Sequence, residues 1–148
     1  MKGRFLAVDP GEKRLGIAVS DPTGTIANPL TVLKHVSRRV DAAAVAQLAQ
    51  EQGAVRIVVG QALDSEGEIG PAARHALRVA EEIRGQTDLP VELWDESFST
   101  QIARETRVAM GVRRSQRSGH LDDLAAVIVL QSYLDAHWMG GEEQANGA

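Results

Sequence analysis

Cysteine is absent, which excludes disulfides, thiolate metal sites and cysteine nucleophiles. Aromatic residues make up only 3% of the chain, so any core must be aliphatic, built from Val, Leu, Ile and Ala. No apolar run approaches the ~18 residues of a membrane span, and the opening MKGRFLAVD lacks the apolar segment of a signal peptide. The expectation is a soluble cytoplasmic protein with no membrane partner. Excess positive charge is missing too. The formal net charge is −4, so nucleic-acid binding would have to come from local patches. His35, His75 and His137 are isolated, without HxxH or HxxxH spacing, which argues against a histidine metal site. What remains is a chain of 148 residues, 43% apolar: the size of one domain, and enough to bury a full core.

The pattern along the chain predicts three strands, then alternating helices and strands. Residues 4–9 read as a central strand, apolar on both faces. Pro10-Gly11 turns the chain, and 14–20 (RLGIAVS) form a second strand in which Gly16 suggests a bulge or a close backbone approach. After the turn Asp21-Pro22-Thr23-Gly24, residues 25–33 form a third strand, placed at a sheet edge by Pro29. Ser37 caps a helix running to Gln52 and stopped by Gly53, with Val40, Ala44 and Leu48 along one face. A strand at 55–59 ends at Gly60, and the polar loop QALDSEGEIG follows. Pro71 starts a helix that turns Ala73, Leu77, Ala80 and Ile83 to the core, up to Gly85. The strand VELW (91–94) ends in Asp95-Glu96, and Ser99 or Thr100 caps a short helix ending at Gly111. A basic loop, VRRSQRSGH, precedes a last helix from Leu121 to Trp138. Residues 1–138 make one domain, and 139–148 read as a disordered tail. The order βββαβαβαα implies an α/β fold: an antiparallel meander continued by parallel strands with right-handed crossovers, and helices on both faces of a mixed sheet.

Acidic residues fall at telling places. Asp9 ends the first strand, Asp95-Glu96 end the last, and Asp122-Asp123 open the final helix. In an open α/β sheet the site lies beyond the carboxyl ends of the parallel strands, so Asp9, Gly60 and Glu96 should share one edge. Carboxylates gathered there repel one another unless a cation sits among them. Mg²⁺ or Mn²⁺ fits, since hard cations take oxygen ligands. Two such ions about 3.5–4 Å apart stabilise the attacking and leaving oxygens of a phosphodiester. Each acid alone has a blander reading, as a turn former or a helix cap. Periodicity does not choose between Asp122 and Asp123, because both share a face with apolar residues. Arg113, Arg114, Arg117 and His120, in a Ser/Gly loop just before Asp122, suit a polyanionic substrate, as do Lys13 and Arg14 in the first turn. Lys34-His35 with Arg38-Arg39 reads as a solvated helix start, and Trp94 and Trp138 as packing residues.

Four stretches, VDPGEKRLGIAVSD, VVGQALDSEGEIGPAA, VELWDESFST and LDDLAAVIVLQSYL, in this order and spacing, resemble the YqgF family, whose bacterial members are also called RuvX, pre-16S rRNA nucleases or Holliday junction resolvases. The similarity runs from about residue 4 to residue 135. It implies an RNase H-like three-layer αβα fold with sheet order 3-2-1-4-5 and metal-dependent phosphodiester cleavage of the two-metal type. By motif, it assigns catalysis and metal binding to Asp9, Glu96 and Asp122, and it is the resemblance that selects Asp122 over Asp123. Gly11, Lys13, Arg14 and Gly16 fall in the first motif, Gly60 in the second, and Ser99 and Thr100 in the third. The chain departs from the family pattern at Gln61-Ala62, where Leu-Pro is usual. It departs again at Ser97, where Arg is usual, and at Pro10, where a bulky apolar residue is common. The missing Arg removes a phosphate contact or an ion pair.

The favoured expectation is an endo- or exonuclease on structured nucleic acid, maturing the 5′ end of pre-16S rRNA in association with a ribosomal precursor. A four-way DNA junction is the alternative substrate, and a resolvase would need two sites, hence a homodimer. A binding module that never cuts would not need the acids. An ATP-binding protein of the actin and sugar-kinase type would need two such domains, and this chain has one.

Overall fold

The computed structural model describes residues 3–62, 68–95 and 121–147, with the side chains of 121–123 and 138–147 outside that description. Five strands form one sheet: β1 (Arg4–Pro10), β2 (Arg14–Ser20), β3 (Ala27–Lys34), β4 (Ala54–Gln61) and β5 (Val91–Asp95), in the order β3-β2-β1-β4-β5. β1–β2 and β2–β3 pair antiparallel, whereas β4 pairs parallel with both β1 and β5. The described helices are α1 (Arg38–Gln52), α2 (Pro71–Arg84) and α3 (Leu121–Gly147). This is the expected mixed sheet. The short helix expected before Gly111 lies outside the described residues.

Strand alternation sorts the core into two layers. Leu6 and Val8 of β1 pack with Ile57 and Val59 of β4 beneath α1 and α2. Phe5 and Ala7, with Val58, face the other way onto Val129, Leu130, Tyr133 and Leu134 of α3. Both faces of β1 are therefore buried, which is why its sequence reads as a continuous apolar run.

Local chemistry sets the boundaries. Ser37 caps α1 by accepting the Val40 N–H at 3.1 Å, and Gly53 ends it at φ 66°, donating to the carbonyls of Ala49 and Gln50. Pro71 opens α2. Pro29 sits on the edge strand β3, where a missing N–H costs the ladder little. The irregularity in β2–β3 pairing falls between Ile17 and Ala18, not at Gly16, which pairs regularly with Asp9.

The helix faces differ from the expected ones. Val40 is 49% exposed, and α1 buries Asp41, Ala42, Val45 and Ala49, while Leu48 of the expected face still packs against the core. The reason is Asp41: its carboxylate takes the Val36 N–H and the His35 ring, which turns the helix one position round. Leu77 is 38% exposed, because Ala73, Ala76, Val79, Ala80 and Ile83 let α2 lie close to the sheet and leave Leu77 at its rim. α3 does not end at Trp138 but continues to Gly147, in keeping with the helix-forming Glu142, Glu143, Gln144 and Ala145.

A polar network pins α3 to the sheet. Arg56 of β4 donates to Glu92 of β5 and to the Tyr133 hydroxyl, both at 3.0 Å, and the Tyr133 hydroxyl donates to Glu92. Trp94 Nε1 donates to Ser132 Oγ at 3.0 Å, and its ring meets Tyr133 edge-on with centroids 5.4 Å apart. Trp94 is the packing residue that its sequence position suggests. Gln131 takes the Ala27 N–H at 2.9 Å and donates to the Thr25 carbonyl, fixing α3 against the start of β3.

Candidate active site at the sheet edge

Asp9 lies near the carboxyl end of β1, half-buried. By strand parity it shares the face of Phe5 and Ala7, the face that α3 covers. Its cross-strand partner on β2 is Gly16. On β4 the parallel register runs Val8 to Val59, which sets Gly60 alongside Asp9 on the other flank. The carboxylate is therefore bordered by two residues without side chains. Gly60 pairs in turn with Trp94, and Gln61 with Asp95, so the ends of β1, β4 and β5 form one row. Glu96 follows directly on Asp95 in the sequence but lies outside the described residues. Asp122 falls in the first turn of α3, the helix on the Asp9 face, and its side chain lies outside them too. Among the described residues no group of His, Asp or Glu stands ready to hold a metal, as expected when Asp9 is the member of the proposed set whose side chain is described.

The turn after Asp9 is tightly built. The Gly11 N–H donates to the carbonyls of Asp9 (3.1 Å) and Arg14 (3.0 Å). A Cβ on Gly11 would press into the Arg14 carbonyl oxygen at a separation that real Cβ atoms essentially never show. Gly11 is thus required by close approach, and the hairpin it closes carries the exposed Lys13 and Arg14 beside Asp9. Arg113, Arg114, Arg117, Ser99 and Thr100 lie outside the described residues.

The first motif contains two aspartates, Asp9 and Asp21, and the structure separates them. Asp21 lies at the opposite end of β2. Its carboxylate accepts the N–H groups of Thr25 (2.8 Å) and Ile26 (2.9 Å) and the hydroxyl of Thr23. These donors, Ile26 first, hold its carboxyl well below the usual carboxylate range. Ser20 beside it is buried, accepts the Phe5 N–H at 2.8 Å and donates to the Asp21 carbonyl. Ser20-Asp21 is a structural turn. The Asp9 carboxylate, by contrast, makes no hydrogen bond or ion pair among the described residues. A half-buried carboxylate without a donor, at a sheet edge and between two glycines, has room and lone pairs for a ligand.

Two polar groupings escape a reading of the sequence. The Arg56–Glu92–Tyr133 network is signalled only weakly, by charges inside strands that otherwise read as apolar. His35 and Asp41 meet at 2.5 Å across the strand-to-helix turn, a contact that neither periodicity nor motif announces.

A five-stranded 3-2-1-4-5 sheet with helices on both faces and an acid at the end of its central strand defines the RNase H-like class. The Thermus thermophilus RuvC chain, solved in complex with a Holliday junction substrate, superposes with a TM-score of 0.58 at 17% identity, over 92% of this chain and 96% of that one. The family described as "RuvX: Holliday junction resolvase" matches residues 3–136. Curated proteins bearing the name "Putative pre-16S rRNA nuclease" are similar over nearly the whole chain. The one from Roseiflexus sp. (strain RS-1) is 35% identical, over 90% of this chain and 95% of its own. That from Symbiobacterium thermophilum is 38% identical over 90% and 92%, and that from Myxococcus xanthus 37% over 90% and 89%. The chain belongs to the RuvX family.

Proposed function

We propose that this chain is a divalent-cation-dependent nuclease that hydrolyses phosphodiester bonds in structured nucleic acid, with the 5′ end of pre-16S rRNA as its substrate in the cytoplasm. The observation that carries this is Asp9: a half-buried carboxylate without a partner among the described residues, at the end of the central strand and flanked by Gly16 and Gly60. The names of the curated relatives support the substrate.

The donor chemistry suits Mg²⁺ or Mn²⁺. Asp9 offers hard oxygens, and the flanking glycines leave space for a hydrated ion and a phosphate. Asp9, Glu96 and Asp122 would hold the cations. Bound there, divalent cations supply charge neutralisation at the attacking and leaving oxygens of the phosphodiester. The rest of the work falls to this chain's own groups. Gly11 keeps the hairpin closed, so that Lys13 and Arg14 draw the phosphate backbone toward Asp9. Arg113, Arg114 and Arg117 extend that attraction from the segment before α3. The Tyr133 network holds α3, the helix whose first turn contains Asp122, against the sheet.

The test is cleavage of a labelled pre-16S precursor, single-stranded RNA and a four-way DNA junction by the protein and its Asp9→Asn variant, with Mg²⁺, Mn²⁺ or EDTA. Cutting of the precursor that needs the cation and vanishes in the variant is the expected result. Cutting that survives Asp9→Asn refutes the assignment. A second reading, junction resolution, is favoured by the family's description. It requires paired sites, so preference for the junction together with a dimer in solution would select it.

A further inference from the structure

On the α3 face of the sheet, Asp9, Gly16 and Val32 form one row across β1, β2 and β3, by the pairs Asp9–Gly16 and Gly16–Val32. One step outward, Arg14 pairs directly with Lys34 on that same face. An open groove runs here, lined by Glu12, Lys13, Arg14, Val32, Lys34 and His35. Gly16 carries no side chain, so nothing from β2 stands between Asp9 and this groove. β3 lies two strand spacings, about 10 Å, from β1, roughly the rise of three nucleotides along a duplex strand.

The groove holds cations where a sheet ordinarily avoids them. Like charges directly opposite one another destabilise a ladder, and Arg14 faces Lys34. Lys34 is exposed and makes no ion pair among the described residues. Glu12, at the mouth, is the groove's own anion. His35 is fixed in place: its N–H donates to the Lys13 carbonyl at 2.9 Å, and its Nδ1 is held at 2.5 Å by Asp41, which is 5% exposed. With Nδ1 bound to a carboxylate, Nε2 is the ring atom left for a ligand, and it makes no hydrogen bond among the described residues.

We propose that this groove carries the sugar-phosphate backbone of the substrate strand away from Asp9 across Gly16, with Lys34 and His35 as contacts alongside Lys13 and Arg14. The proposal rests on the nuclease reading and adds residues that the family motifs do not include. Lys34 meets phosphate as a point charge. His35, positioned by Asp41, meets either the phosphate or the ribose hydroxyl beside it.

The experiment measures binding in the Asp9→Asn background, with single-stranded RNA and DNA of one sequence over a range of salt concentrations. Lys34→Ala should weaken both nucleic acids and lower the salt slope by about 0.7, the value for one phosphate contact on a single strand. Arg78→Ala, which removes an exposed charge from α2, controls for net charge and should leave the slope unchanged. His35→Ala should weaken binding several-fold. An equal loss on RNA and DNA puts His35 on phosphate, and a loss confined to RNA puts it on the 2′-hydroxyl. Melting curves confirm that each variant is folded. Lys34→Ala behaving as Arg78→Ala overturns the groove while leaving the nuclease reading intact, provided that Asp9→Asn still abolishes cutting. Unchanged affinity in His35→Ala overturns that residue's part. Failure of the parent protein to bind either nucleic acid overturns both proposals.

Discussion

Replacing Gly11 with Ala tests the link between the hairpin and the active edge. The added Cβ would press on the Arg14 carbonyl oxygen, which is also an acceptor for the Gly11 N–H. Ordinary van der Waals contact begins at 3.4 Å, so the turn would have to open by about 1 Å. The clash is with backbone, so no side chain can swing away. Overpacking of this kind costs about 1–3 kcal/mol of stability. The functional loss should be larger than that figure suggests. A displacement near 1 Å in a group that positions substrate costs on the order of 10²-fold in rate. The same turn carries Asp9 at one end and Lys13 and Arg14 at the other, so both carboxylate and cations shift. The assay is single-turnover cleavage of the RNA precursor, paired with urea unfolding to separate rate from stability. A folded Gly11→Ala protein that cleaves at the rate of the parent would refute the reasoning.

Three further predictions follow from hydrogen bonding and backbone geometry. Tyr133, the sole tyrosine, is 1% exposed; burial, and then its bond to Glu92, push its hydroxyl up to about 12. Stability from this group is full below the unfolded pKa of about 10 and is lost as pH rises toward 12. Alkaline absorbance titration should show the late transition, and Glu92→Gln should move it down; a transition at the ordinary tyrosine value would sink the network. Asp21, whose carboxyl is held low by Ile26, Thr23 and Thr25, stabilises the fold above the usual carboxylate pKa of about 3.9 and loses that contribution as pH falls through and below it. Asp21→Asn should therefore melt earlier at neutral pH, with the difference from the parent shrinking in acid; a constant difference from pH 7 to 2 would contradict this. Gly53→Ala should cost about 1–2 kcal/mol, because the φ of 66° is left-handed while nothing lies within 4 Å to clash; an unchanged urea midpoint would show that the cap tolerates a side chain.

The topology was legible because the chain punctuates itself. Pro10-Gly11, Ser37, Gly53 and Pro71 each mark a boundary by a backbone requirement that acts locally, and each boundary is observed within a residue or two. Which face of a helix goes inward is not a local property. Of the stripe Val40, Ala44 and Leu48, Leu48 does pack against the core, but α1 turns Asp41 inward and leaves Val40 out, because a buried carboxylate with two partners outweighs one exposed valine. Leu77 is exposed for a related reason: small residues on α2 set the approach distance, and volume then decides what is left at the rim. Asp9 stands out in the sequence as a candidate because it interrupts an apolar strand at its end. His35 does not, since its meaning depends on Asp41, brought near by the turn into α1.

The two aspartates of the first motif show why position alone does not make a site. Asp9 and Asp21 both close an apolar strand, and both precede a Pro. Asp21 is saturated: backbone N–H groups and a hydroxyl converge on both its oxygens, which leaves no capacity for a ligand. The turn after Asp9 is built the other way. Its N–H donor, Gly11, is spent on main-chain carbonyls rather than on the carboxylate. The flanking positions on β2 and β4 are glycines, which neither donate from a side chain nor fill the space. Lys13 and Arg14 stand exposed on the hairpin that follows Asp9. A fold that wanted only a turn would have satisfied the carboxylate, as it does at Asp21. Among the described residues Asp9 is left half-buried without a donor, an arrangement that costs stability and that the proposed cation and phosphate would offset.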